Sequence, residues 1–176
     1  MKIIKTKNIY KGFFDLNELT VETKKGAIYS RIVVERKNTV CALVYDKETK
    51  KFILVKQWRP GAKKEILELV AGVIDENESN EDAISREIIE EVGYQVDHLD
   101  FVTKCYLSPG GSTEKIGIYI AFVSNKIGKG GGLDHEGEQI ETVKFSINEL
   151  LAYPFEDAKT IITIEYIKNN WPLYEK

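Results

Sequence analysis

The chain is poor in the residues that staple a fold or bind soft metals. Of its 176 residues, two are cysteine and two are histidine. Cys41 and Cys105 stand far apart, each inside an apolar run, so they read as reduced core residues and exclude a disulfide framework or a zinc site. His98 and His135 alone exclude a histidine-based metal centre. There is no basic excess: 25 Lys and Arg face 28 Asp and Glu, a net charge of −3, which argues against a nucleic-acid partner. No apolar run reaches membrane length and the first residues lack the apolar core of a signal peptide, so a cytoplasmic protein is expected. Repeats and low-complexity segments are also absent. What remains, with 43% hydrophobic and 30% charged residues, suits a globular domain with a full core.

The most informative stretch is Glu68 to Tyr94, ELVAGVIDENESNEDAISREIIEEVGY. Its second half predicts an amphipathic helix over Asn80 to Val92. Ser79 is in place as N-cap with Asp82 three residues on, Ile84, Ile88 and Val92 form the buried stripe, and Gly93 ends it. Glu87 and Glu91 are four apart and stack on one face, with Glu90 beside them. Like charges at that spacing repel, by a few tenths of a kcal/mol per pair, about 0.2–0.5. A hard divalent cation that takes oxygen ligands would offset the repulsion; a solvated acidic face is the commoner fate of such residues. The helix is preceded by a loop from Ala71 to Glu78, itself after an apolar run, Ile66 to Val70, broken only by Glu68. Gly72 lets the backbone come close to a ligand, and the Ala71 carbonyl is a further candidate oxygen ligand.

Around this core the chain predicts mostly strands. Residues 1–36 alternate apolar and polar in three strands, with Lys24-Lys25-Gly26 as a turn. Thr39–Tyr45 and Lys51–Trp58 form a hairpin, and Phe101–Leu107, Lys115–Val123 and Val143–Phe145 are further strands. A helix over Phe155–Lys168 follows, with Ser146–Leu151 as a candidate short helix before it, and Ile161, Ile162, Ile164, Tyr166 and Ile167 are read as its apolar surface. Runs of strands with helices on either side make an α+β sandwich.

Gly72, Glu78, Arg86-Glu87-Ile88, Glu90-Glu91 and Gly93 resemble the Nudix box in every fixed position and spacing, with Tyr94 in place of the usual aliphatic residue. Ser108-Pro109-Gly110-Gly111 with Glu114, Pro109 lying 16 residues after Gly93, resembles the signature of the ADP-ribose pyrophosphatase and nucleoside-diphosphate-sugar hydrolase subgroup. The stretches Tyr10–Phe14 and Val34–Lys37 are similar to the same subgroup.

The resemblance implies an α/β/α sandwich with a mixed sheet over residues 37–176, preceded by a small antiparallel sheet over 1–36 that helps form a homodimer. It implies hydrolysis of the diphosphate of a nucleotide sugar, ADP-ribose first and GDP-mannose or UDP-glucose as alternatives, with two to three Mg²⁺ or Mn²⁺ ions per site. A non-catalytic nucleotide-sugar sensor is a rival from another class, but such modules typically lose box glutamates, which this chain keeps. The metal set it implies is the Ala71 carbonyl, Glu87, Glu91 and Glu138, with Glu90 beside them and Arg86 orienting the glutamates. Glu136 is the implied base; spacing does not distinguish it from Glu138, two residues on, and the preceding glycines would give that loop hinge freedom. Arg59 and Trp58, ending a strand just before the box, are candidate phosphate and base contacts by their own chemistry; Glu114 is a further candidate substrate contact, and Arg31 and Arg36 of the first sheet are candidates to reach the partner's site.

Overall fold

The computed structural model describes residues 1–133, 137 and 139–171. The chain divides into two compact units, Met1–Asn38 with Cys105–Ile116, and Thr39–Lys104 with Gly117–Lys176.

The first unit holds an antiparallel sheet of β1 (Lys2–Tyr10), β2 (Asp15–Glu22) and β3 (Ile28–Glu35), in that order. The Lys24–Gly26 turn forms where the sequence puts it: Gly26 takes a left-handed φ of 79° and donates its N–H to Thr23 O. β1 stops at Tyr10, short of the end of the alternating run, and Phe13 and Phe14 lie exposed in the connection. None of the three strands contains a buried residue. The 108–114 loop belongs to this unit, where Ser112 bridges to Val34 and Thr113 Oγ1 accepts from Arg36 N.

The second unit is built on a mixed sheet ordered β10 (Ile140–Phe145), β5 (Lys51–Arg59), β4 (Thr39–Asp46), β9 (Lys115–Lys126) and β8 (Tyr94–Tyr106). Two short strands, β6 (Lys64–Glu68) and β7 (Val70–Val73), pair with β5 and β4. Three helices accompany it among the described residues: α1 (Asn80–Val92), α2 (Ile147–Ala152) and α3 (Ala158–Asn170). β4 is buried along nearly its whole length, as expected of a strand covered on both faces. Val40, Ala42 and Val44 join the core cluster with Ala83, Ile84, Ile88 and Val92 of α1. Tyr45, on the other side of the pleat, packs edge-on to Trp171 at 4.8 Å, as does Phe52 at 4.7 Å. Helices therefore cover both faces, giving the expected α+β sandwich.

Two local expectations need correction. Ala71, Gly72 and Val73 are not loop but strand β7, held in register by the backbone of β4. The buried face of α3 is Lys159, Thr160, Thr163, Ile164 and Ile167, whereas Ile161 and Ile162 are 42% and 38% exposed. The cause is the polar docking of the first turn of α3: Leu69 N donates to Thr160 Oγ1, and Lys159 reaches the buried Glu68. These partners lie 91 residues away, out of reach of any helical periodicity.

Candidate active site

Helix α1 forms as its sequence dictates. Ser79 Oγ accepts from Asp82 N at 3.0 Å, and Gly93 closes the helix in a left-handed conformation, its N–H shared between Ile88 O and Ile89 O. The last turn carries no basic side chain. The segment 128–132 caps it instead: Gly131 N donates to Glu91 O, Gly132 N to Glu90 O, and Gly93 O accepts from Ile127 N and Gly128 N. The approach is close enough to require glycine, because a Cβ on Gly130, at φ +70°, would lie 2.6 Å from Glu91 O. Gly130 thereby fastens the segment to the helix end.

On the polar face of α1, Arg86 gathers the carboxylates. Its Nε and Nη2 grip Glu78 as a fork at 2.9 and 3.0 Å. Its Nη1 donates to Glu87 Oε1 at 2.6 Å and Glu90 Oε2 at 3.2 Å, and Nη2 also reaches Val73 O at 3.1 Å. The Glu78 bond, with Glu87 adding to it, raises the guanidinium pKa despite its partial burial, and Arg86 in turn holds the Glu78 carboxyl below its ordinary value. Arg86 thus orients the box glutamates and ties the helix to the end of β7. In the sequence Glu78 is only one fixed position of the box pattern, yet it makes the strongest grip on Arg86.

Gly72 has a role the sequence does not reveal. It sits inside β7 opposite Val40, not at a sharp turn, and a Cβ there would fall 1.9 Å from Glu87 Cδ. The missing side chain leaves a cradle that the Glu87 carboxyl fills. Ala71, next to it, is half-buried and pairs with Cys41. Glu91, one turn beyond Glu87, is 3% exposed.

Arg59 stands at the end of β5 and bonds to Glu68. Burial would lower its pKa, but its 2.5 Å bond to Glu68, with further help from the charge of Glu91, raises it. Trp58 beside it is 57% exposed. Glu114 and Arg31 lie in the first unit: Glu114 pairs with Arg36 at 3.3 Å, while Arg31 lies over the Tyr29 ring at 5.5 Å and donates to Ser30 O. Glu136 and Glu138 lie outside the described residues.

Tyr94 departs from the box pattern for a visible reason. Its ring belongs to the core cluster, and its hydroxyl donates to Asp46 Oδ2 at 3.1 Å, with Lys144 Nζ 3.0 Å from the same hydroxyl. An aliphatic residue could not supply that bond. Burial raises the Asp46 pKa, but bonds from Thr49, Lys144 and Tyr94 outweigh it and bring it down to about 2.

A NUDIX domain model matches residues 35–164. The chain belongs to the Nudix family of hydrolases. It is 31% identical to the GDP-mannose pyrophosphatase of Cronobacter sakazakii over 96% of this chain and 95% of that one. It is 30% identical to the methanol dehydrogenase activator of Bacillus methanolicus, covering 95% and 92%. A crystal structure of an ADP compounds hydrolase shares the fold, with a TM-score of 0.79 and 21% identity over 96% of this chain and 95% of that one.

Nudix hydrolases generally use divalent metal ions. The residues fit such an ion by donor chemistry: Glu87, Glu90 and Glu91 offer carboxylate oxygens, hard ligands for a hard cation, from one helix, with the Glu87 carboxyl in the space beside Gly72. Among the described residues no three acidic, histidine or cysteine side chains form a ready-made metal cluster. Arg86 draws Glu87 and Glu90 to itself, so an ion would share these carboxylates with the guanidinium. No helix among the described residues is long and apolar enough to cross a membrane.

Proposed function

We propose that this Nudix protein hydrolyses the diphosphate of a nucleoside diphosphate sugar, releasing a nucleoside monophosphate and a sugar phosphate. The observation that carries it is the box itself: Glu87 seated over Gly72, with Glu87 and Glu90 held by Arg86 on the helix that also bears Glu91. The relatives named GDP-mannose pyrophosphatase and the structural neighbour named ADP compounds hydrolase support this substrate class. ADP-ribose and GDP-mannose are the two substrates of choice, and those names favour neither over the other.

Mg²⁺ or Mn²⁺, two or three ions per site, would neutralise the diphosphate, acidify a water and stabilise the leaving phosphate. Glu87 and Glu91, with the Ala71 carbonyl and Glu138, are the proposed ligands. Arg86 keeps Glu87 and Glu90 in place while that charge changes. Arg59 grips a phosphate and Trp58 stacks on the base, with Glu114 and Arg31 as further substrate contacts. Glu136 accepts the proton of a water whose oxygen bonds to phosphorus as the bridging P–O bond breaks. The bridging oxygen leaves on the second phosphate, so the reaction needs positioning and charge neutralisation more than covalent help.

We further propose a homodimer formed through the β1–β3 sheet, which buries no residue of its own and exposes Ile3, Tyr10, Phe13, Ile28 and Ile32. With two cysteines in the chain, Cys41 buried and Cys105 half-buried, we propose the reducing cytoplasm as the compartment.

The test is phosphate release through a coupled phosphatase, with Mg²⁺, across ADP-ribose, GDP-mannose, UDP-glucose, ADP-glucose and a nucleoside triphosphate. Preference for one nucleotide sugar, abolished by chelator, is the expected result. Silence across the panel from folded protein would favour a nucleotide-sugar sensor.

A further inference from the structure

Glu68 and Lys159 form an ion pair inside the second unit, with side chains only 3% and 9% exposed. Lys159 Nζ donates to Glu68 Oε2 and, at 3.0 Å, to Asp157 Oδ1. Asp157 is the N-cap of α3, accepting from Thr160 N at 3.0 Å. The other oxygen of Glu68 accepts from Arg59 Nε at 2.5 Å. A chain of four charged groups, Asp157, Lys159, Glu68 and Arg59, thus runs from the start of α3 to the end of β5.

Stability alone does not account for such a chain. Taking two charges out of water costs several kcal/mol per ion, and well-packed apolar residues of the same volume usually serve as well or better. What apolar residues cannot do is fix a guanidinium in direction. Among the described residues Arg59 donates from Nε alone, and its side chain is 43% exposed. An Nε anchor stops the rotation of the planar group and leaves both Nη nitrogens to meet a planar or tetrahedral anion as a fork.

We propose that Glu68 is a positioning residue: buttressed by Lys159 from α3, it holds Arg59 by Nε so that the free Nη pair presents a preset fork to a phosphate of the substrate diphosphate. This rests on the reading of Arg59 as a substrate contact and adds what aims it. The electrostatic influence of Glu91 on Arg59 agrees with a guanidinium lying near the box. The arrangement also explains the polar buried face of α3, which serves as a fixed mount for the acid that aims Arg59.

The experiment is a thermodynamic cycle on the full chain with two changes, Arg59→Ala and the apolar double replacement Glu68→Leu with Lys159→Met. The double replacement removes both buried charges together, leaves neither unpaired, and is expected to fold. Binding of ADP-ribose and of GDP-mannose is measured by calorimetry in chelator, and KM and kcat with Mg²⁺ for whichever is hydrolysed. Arg59→Ala is expected to weaken binding about ten-fold, the loss of a charge-assisted contact. The double replacement is expected to raise Kd and KM by a similar factor, with kcat changed far less. Combining the two should add almost nothing, since both remove the same fork.

If Arg59→Ala weakens binding but the folded double replacement binds as the parent does, the positioning role of Glu68 is overturned and Arg59 keeps its own. If Arg59→Ala leaves binding unchanged, or neither nucleotide sugar binds the parent chain, the Arg59 reading fails and the positioning role falls with it. Should the double replacement not fold, Glu68→Gln takes its place. It keeps the volume and an oxygen for Nε but loses the charge, so a smaller rise in Kd that vanishes in the Arg59→Ala background is expected. Additive effects would overturn the proposal.

Discussion

Helices α1 and α3 are both 13 residues long, begin at a side-chain N-cap and pack on the second unit's sheet, yet they use their polar residues in opposite ways. In α1 the apolar buried stripe is Ala83, Ile84, Ile88 and Val92, Glu91 is buried beside it, and Glu87 and Glu90 are held by Arg86. In α3 the polar residues Lys159, Thr160 and Thr163 are themselves the buried face, and two isoleucines look outward. The contrast teaches that a helix polar face can be kept for a ligand or consumed by the protein. Loss of a carboxylate from the first is expected to lower activity with the fold intact, and loss of a single buried partner from the second is expected to lower stability.

Glu91→Gln breaks the α1 side of that contrast most sharply. It removes a buried negative charge without changing shape, so the melting temperature should hold or rise. The metal-dependent rate should fall at least about a hundred-fold, if the lost charge stabilisation is worth several kcal/mol. Near-normal turnover would remove Glu91 from the metal set. Metal titration followed by calorimetry tests the same ligand role independently of turnover, and a weaker metal affinity in the variant is expected.

Glu68→Ala is the α3 counterpart. It strands Lys159 without its main partner inside the protein, and breaking a buried pair costs about 3–5 kcal/mol. Urea unfolding should show that loss, while Glu68→Leu with Lys159→Met, which strands neither of the two buried charges, should lose less. Equal losses in both would mean that the pair itself, not its balance, stabilises the fold.

Gly130→Ala probes the loop that closes the end of α1. The new methyl would meet Glu91 O at 2.6 Å in a left-handed backbone, so a loss of about 1–3 kcal/mol is expected. Hydrogen exchange at the last turn of α1 should quicken in the same variant.

The two N-caps give a finer comparison. Ser79→Ala should cost about 1 kcal/mol, the ordinary value of a cap. Asp157→Ala should cost more, because the same carboxylate also pairs with Lys159. Equal losses would mean that the second role of Asp157 is idle.

The last effect is in acid. The folded pKa of Asp46 is about 2, below the ordinary 3.8, so its bonded carboxylate stabilises the fold fully above pH 4. That contribution is lost as pH falls from about 4 through 2, where the folded form also takes up its proton. Asp46→Asn should be less stable than the parent at pH 7, and the difference should shrink across that window.

α1 is legible in the sequence from Ser79 to Gly93 because each of its signals is local: cap, stripe and stop lie within one turn of the backbone they govern. The strands β4 and β5 and the β1–β3 sheet are legible from their alternation or continuous apolarity for the same reason. Glu68 stands out as the one charge in an apolar run, but nothing nearby names Arg59 and Lys159 as its partners. Gly72 is visible as a box position, while its physical reason, the Glu87 carboxyl in the space of its missing side chain, needs the fold.

The sequence by itself determined the box helix, its caps, its acidic face and the family, since all are written in short-range spacing. Only the tertiary structure decided that α3 docks through Lys159, Thr160 and Thr163 as well as Ile164 and Ile167, that Tyr94 bonds to Asp46, and that the segment 128–132 closes the end of the helix. Each of these is a bond between residues tens of positions apart. Such bonds leave no period in the sequence, because the two partners are specified separately and meet only once the sheet has brought them together.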